Sequence, residues 1–220
     1  MKNWMLFDFD GTIANSIDQL YKLVNGLAPR YGYTPITPEK FAAMRDFPLS
    51  RACKALKVPL YKLGQAITVI LSEYLKIVPD LEPCAGVVPM LQELKAMEIS
   101  LALISSNHSE NVRAFLDHHR IDCFDWVEGT GGILHKHDSI RRQIRKHGLD
   151  KEKVVYVGDE SRDIKAARKS RVQVISVTWG LHSEAHLRGF KPDWLVSDPA
   201  EIVAIAKQLF RIAEPSGPLE

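Results

Sequence analysis

The sequence predicts an open α/β fold: a parallel sheet flanked by helices, with a small all-helical domain inserted after the first strand. Three observations carry this expectation. Apolar runs too short to be helices recur along the chain, at Trp4–Phe7, Ile99–Ile104, Phe124–Glu128, Val154–Val157, Val172–Val177 and Trp194–Val196. Helical patterns separate most of them, with Val88, Leu91 and Leu94 forming one apolar stripe and Val112, Phe115 and Leu116 another. Strands alternating with helices of that length are the pattern of parallel βαβ units. From Ser16 to about Glu82 the alternation stops and the pattern is helical throughout.

The inserted segment has its own punctuation. Ser16 and Gln19 have capping-box spacing, and Leu20, Leu23, Val24 and Leu27 follow at helical intervals. Gly32 is placed to stop that helix. Further helices are predicted over Pro38–Arg45, Ser50–Leu56 and Leu60–Ile77, separated by prolines at 35, 38, 48, 59 and 79. Hinges near Asn15–Ser16 and Pro83–Gly86 divide the chain into an α/β core (1–15 and 84–212), a helical cap (16–83) and a disordered tail (213–220). In such sheets ligands bind beyond the C-terminal strand ends. A cap inserted there would overhang the site and act as a lid.

Composition narrows the function. The 220 residues are 45% hydrophobic and 25% charged, as in an ordinary globular protein. A net charge of +2 gives no reason to expect nucleic acid or an anionic membrane as partner. The densest basic run, His135–His147, carries Ile140 and Ile144 one turn apart and reads as an amphipathic helix with a basic outer face. Cys53, Cys84 and Cys123 lie far apart without metal-ligand spacing. That usage, the lack of a signal-peptide pattern and the lack of a membrane-length apolar run lead to a cytoplasmic expectation.

Four segments place chemistry at strand ends. The first strand delivers Asp8 and Asp10 into the turn Gly11-Thr12. Residues at i and i+2 of a strand share a side, so the carboxylates can converge. Converging carboxylates repel unless a cation or a shared proton lies between them. One of them could then attack an incoming phosphate as a nucleophile. The second segment ends in Ser105-Ser106-Asn107, whose hydroxyls and following N–H groups could grip an anion or simply cap a helix. The third supplies Lys136, after Gly131-Gly132 and ahead of a helix, and the fourth reads Gly158-Asp159-Glu160-Ser161-Arg162-Asp163. Taken singly, Lys136 suits a surface charge and Asp163 a partner for the helix dipole.

In chain order, Asp-x-Asp-Gly-Thr, then Ser, then Lys, then Gly-Asp-x-x-x-Asp resembles the haloacid dehalogenase superfamily over residues 1–210. Trp179-Gly180 and His182-Ser183-Glu184 resemble its phosphoglycolate phosphatase-like branch. The resemblance implies a Rossmann-like core with an inserted helical cap. It also implies a Mg²⁺-dependent phosphatase acting on a small phosphorylated metabolite, phosphoglycolate-like or a sugar or nucleotide phosphate. It makes Asp8 the nucleophile that forms an aspartyl-phosphate, and Asp10 the general acid/base whose carbonyl also meets the metal. Ser105, with Ser106 beside it, would bind the phosphate, and Lys136 would offset charge between nucleophile and phosphate. Asp159 would be the magnesium ligand and Asp163 a supporting acid.

Alternatives within and beyond the family are a phosphomutase with the same nucleophile and a catalytically silent homologue acting through a partner. A receiver-like signalling domain is about half this length. A dehalogenase would lack the second aspartate, and Asp10 is present. Arg45 and Arg51 on the cap are candidates to meet a substrate carboxylate or second phosphate, or are surface arginines. The expected assembly is a monomer or homodimer. Arg171 stands where the family commonly has glycine, and a left-handed helix stop there would carry about 1 kcal/mol of strain.

Overall fold

The computed structural model describes residues 2–47, 49–55, 60–129 and 136–212. The tail 213–220 and the glycine pair 131–132 lie outside the described residues. The chain opens with β1 (Trp4–Phe7), and the inserted helices follow: α1 (Ile17–Gly26), α2 (Ala28–Tyr31), α3 (Pro38–Met44), α4 (Leu49–Ala55) and α5 (Leu60–Ile77). The core resumes with α6 (Val87–Ala96), β2 (Ser100–Ser105), α7 (Ser109–His118), β3 (Trp126–Gly129) and α8 (Lys136–Lys146). It finishes with β4 (Val154–Gly158), α9 (Ser161–Ser170), β5 (Gln173–Val177), α10 (Glu184–Gly189), β6 (Trp194–Val196) and α11 (Pro199–Phe210).

The six strands form one sheet in the order β3-β2-β1-β4-β5-β6, and every pairing is parallel. This is the α/β core with a helical insertion that the sequence predicts. Strand parity sets its two layers. Met5 and Phe7 of β1 enter one apolar cluster with Leu101, Leu103, Val155 and Val157, beneath α6, α7 and α11. Leu6 faces the other way with Ala102, Ile104, Val154 and Tyr156, beneath α8, α9 and α10. Burial on both faces is why these strands read as continuous apolar runs rather than alternating ones.

Local expectations meet the structure with small shifts. The α6 stripe is Val87, Met90, Leu91 and Leu94, and Val88 is only partly buried. In α8, Ile140 and Ile144 are buried, as the basic run predicts. Gly32 stops α2 at φ 74°, and Arg171 stops α9 at φ 60° in the left-handed region. The capping box at Ser16 is not formed: Ser16 takes a helical φ/ψ, and its side chain does not cap α1.

Two features position the site. The crossovers from β1 and β4 leave in opposite directions, so these adjacent strands make the switch-point crevice of the sheet. The two connections to the insertion also pair with each other. Ala14 bridges Pro83 antiparallel, the Asn15 N–H donates to the Glu82 carbonyl at 2.8 Å, and the Cys84 N–H donates to the Ile13 carbonyl at 2.8 Å.

Candidate active site

The crevice between β1 and β4 collects the acids. Register pairs Phe7 with Val157, and the Asp8 N–H continues the ladder by donating to the Val157 carbonyl at 2.8 Å. Asp8 and Asp159 therefore leave neighbouring strand ends side by side. Asp8, Asp159 and Asp163 are buried, at 1%, 1% and 0% exposure, and one carboxylate oxygen from each lies within 4.8 Å of the others. The chain makes room for this packing. Gly11 has φ +72°, and a Cβ there would sit 2.2 Å from Asp159 Oδ2. A Cβ on Gly180 would sit 2.2 Å from Asp159 Cβ. Both positions need glycine, one for conformation and both for close approach.

Lys136, at the start of α8, provides the compensating charge. Its Nζ lies 2.6 Å from Asp8 Oδ2 and 2.5 Å from Asp163 Oδ1, with the ammonium 5.6 Å from the centroid of the Tyr156 ring. Its side chain is only 7% exposed. The surface-charge reading of this lysine is therefore excluded by position. Burial alone would lower the ammonium's pKa, but Asp163 and Asp8 hold it well above the usual lysine value. Burial raises the Asp8 carboxyl to about 6, against the lowering pull of Lys136.

Asp163 serves two neighbours. Its Oδ2 accepts the Glu160 N–H at 3.0 Å while Oδ1 takes Lys136, so the helix-capping role and the charge-pairing role coexist. Asp159 accepts the Leu181 N–H at 2.6 Å and the Thr12 hydroxyl at 3.2 Å. Burial, then Glu160 and Asp8, push its carboxyl well above the usual range.

Asp10 lies outside this cluster. Its Oδ1 accepts the phenol O–H of Tyr74, from the last turns of α5. Burial raises its carboxyl to about 6, opposed by that hydrogen bond. Ser105 is buried at the end of β2. Its Oγ accepts the Asn107 N–H at 2.9 Å, which closes a turn rather than capping α7, whose first residue is Ser109. Ser106, next along the turn, is partly buried.

These residues also bear on a metal. The site offers only oxygen donors, which suits a hard cation such as Mg²⁺. Asp8 Oδ2 is buried against the Lys136 ammonium at 2.6 Å, and one oxygen each of Asp8, Asp159 and Asp163 lie within 4.8 Å of one another. Three buried carboxylates so close together fit a divalent cation between them. Asp163, with both oxygens engaged, fits a supporting place.

Tyr74, which the sequence does not single out, and residues it gives no part in the site complete the surroundings. Tyr74 reaches Asp10 from 64 positions away. Arg162 pairs with Glu160 at 2.5 Å and keeps a buried Nε without a partner. The Trp179 indole N–H donates to the Thr12 carbonyl at 3.2 Å, tying the turn of the first motif to the loop after β5. That loop also clasps the cap. The Arg45 guanidinium donates to the carbonyls of Gly180 and Leu181. Asp46 accepts the Ser183 N–H at 2.8 Å and its hydroxyl at 2.5 Å. Arg45 is thus engaged with main chain rather than set aside for substrate, and Arg51 lies over the Phe47 ring at 4.0 Å.

A parallel sheet whose switch point gathers buried carboxylates around one lysine, under an inserted helical cap, defines a class of α/β hydrolases. The chain belongs to the haloacid dehalogenase-like hydrolase family, whose model matches residues 5–177. Its curated relatives include a phosphoglycolate phosphatase from Synechococcus elongatus, 29% identical over 94% of this chain and 98% of that protein. They also include the pyrophosphatase PpaX of Bacillus cereus, 22% identical over 95% of this chain and 98% of that protein. Among solved structures, a haloacid dehalogenase-like family hydrolase from Streptococcus pneumoniae superposes with a TM-score of 0.78 at 22% identity. The match covers 93% of this chain and 98% of that one. Among the described residues, no helix is long and apolar enough to cross a membrane.

Proposed function

We propose that the protein is a Mg²⁺-dependent phosphatase that hydrolyses a small phosphomonoester through an aspartyl-phosphate on Asp8. The observation that carries the reading is the convergence of Asp8, Asp159 and Asp163 at the β1–β4 crevice, with Lys136 paired to Asp8 and Asp163. A phosphate dianion entering so acidic a site needs its charge offset, and phosphoryl transfer depends mainly on positioning and charge neutralisation. Lys136 supplies one positive charge between the nucleophile and the phosphate. Asp8, Asp159 and the Asp10 carbonyl, with Asp163 in support, would hold a magnesium ion that supplies the rest.

The chain's own groups then divide the work. The Asp8 carboxylate attacks phosphorus as the bond to the leaving alcohol breaks, and Asp10 gives that alcohol its proton. Asp10 next takes a proton from water, which attacks the phosphoryl group and restores Asp8. The Ser105 hydroxyl and the N–H groups after β2 hold phosphate oxygens. The cap excludes bulk water. The phosphoglycolate phosphatase among the relatives supports a phosphoglycolate-like substrate, sugar and nucleotide phosphates being the other classes the motif resemblance implies, and a soluble cytoplasmic setting agrees with such substrates.

The test is hydrolysis of p-nitrophenyl phosphate by the purified protein, with and without EDTA, beside Asp8→Asn. Turnover is expected to vanish with either change. Turnover that survives both would overturn the mechanism. A panel of phosphorylated metabolites, compared by kcat/KM, then names the substrate.

A further inference from the structure

We propose that Tyr74 of the cap is the positioning residue for Asp10: its phenol holds Oδ1 and leaves Oδ2 to carry the proton given to the leaving alcohol. The inference rests on Asp10 being the general acid, and it adds the group that aims it. Asp10 follows the end of β1 on a glycine turn, where its carboxylate has rotamers to choose among. A fixed donor at one oxygen selects one of them. Tyr74 is well placed to be that donor because it is held from several sides. Its ring packs on the sheet-side apolar cluster together with Ile77. The next carbonyl, of Leu75, accepts the Asn111 side-chain amide at 3.0 Å, fixing the end of α5 to α7 of the core.

The direction of the hydrogen bond assigns the oxygens. The bond runs from the phenol O–H to the carboxylate oxygen, because a phenol ordinarily keeps its proton to about pH 10 and an ionised carboxylate can only accept. An Oδ1 that accepts from Tyr74 is the weaker site for a second proton, and the acidic proton sits on Oδ2. In the first chemical step the Oδ2–H bond breaks and the proton passes to the leaving oxygen. The phosphorus–oxygen bond to the alcohol breaks in the same step, its electron pair staying on that oxygen, while the Asp8 oxygen bonds phosphorus. Tyr74 exchanges no proton and touches no reacting atom.

The experiment compares kcat/KM for an alkyl phosphate, whose alcohol must be protonated to leave, with that for p-nitrophenyl phosphate, whose phenolate leaves without help. This ratio reports the acid step and is insensitive to a general loss of folded protein. Tyr74→Phe is expected to lower the alkyl-to-aryl ratio about tenfold. Asp10→Asn lowers it at least as far, and Tyr74→Phe adds nothing in the Asp10→Asn background. Thermal melts of each variant establish that it is folded. A Tyr74→Phe ratio equal to wild type, with Asp10→Asn still lowered, overturns the positioning role and leaves the phosphatase reading intact. An Asp10→Asn ratio equal to wild type overturns the acid assignment itself, and the role of Tyr74 with it.

Discussion

Replacing Lys136 by methionine keeps most of the stem and removes the charge, which isolates what the ammonium does for the acidic cluster. Lys136 Nζ meets Asp163 at 2.5 Å and Asp8 at 2.6 Å, with a side chain only 7% exposed. At an effective dielectric of about 20, each contact has a Coulomb energy of about 6 kcal/mol. The lysine's own desolvation offsets much of this, and breaking a buried pair usually costs about 3 to 5 kcal/mol. The variant also has an escape, because a carboxylate left beside another can take up a proton instead of staying charged. A net loss of about 3 kcal/mol follows, or about 10 °C in Tm for a chain of this length. Thermal melts at neutral pH in EDTA measure it. Millimolar Mg²⁺ should restore more of the loss in Lys136→Met than it adds to wild type, since the bare cluster is more negative. A variant that melts within about 2 °C of wild type in EDTA would refute the view that Lys136 holds the cluster together.

Two further predictions concern stability away from the chemistry. His182 accepts the Ser161 N–H on Nδ1 at 2.9 Å, and burial, then His186, depress its pKa to about 4. The unfolded chain therefore binds more protons between about pH 4 and 6.5, so this contribution is complete above about pH 6.5 and fades as pH falls towards 4. Because His182 is half-buried, solvent screening reduces it to about 1–2 kcal/mol. His182→Asn keeps an acceptor but does not titrate, and urea midpoints at about pH 7 and about pH 4.5 should show it losing less stability than wild type. Equal losses would sink the assignment. Arg171→Gly should stabilise the protein by about 0.5 kcal/mol, the relief of left-handed strain less the entropy glycine adds to the unfolded chain. Its urea midpoint should rise with no change in slope, and a fall would contradict the strain.

Much of this was legible in the chain because its causes are local. Asp8 and Asp159 each follow a buried strand directly, so the strand pattern that predicts β1 and β4 also places the two acids at strand ends. Gly32 is readable as a helix stop because glycine takes the left-handed conformation freely, whereas Arg171 stands out only against the glycine the family commonly has there. Ser16 was misread for a related reason. Its spacing to Gln19 permits a cap, but a capping residue needs extended backbone, and Ser16 takes a helical φ/ψ that points its hydroxyl away from that role. From sequence, Arg45 reads either as a substrate contact or as a surface arginine, since only its charge and its place on the cap are visible there. The carbonyls of Gly180 and Leu181 engage it instead, more than a hundred positions away.

By itself, the sequence determined the layers of the sheet, the strand ends that carry the acids and the order of the motifs, because apolar runs, helical stripes and turn residues act over a few neighbours. Only the tertiary structure decided which groups meet. It set Lys136 between Asp8 and Asp163, turned Asp10 away from that cluster to Tyr74, and tied the cap to the loop after β5. Those pairings bridge segments that are distant in the chain, and their energy comes from opposite charges and dipoles meeting in a low-dielectric crevice, against the cost of taking each out of water. No local pattern encodes that condition; the folded crevice creates it.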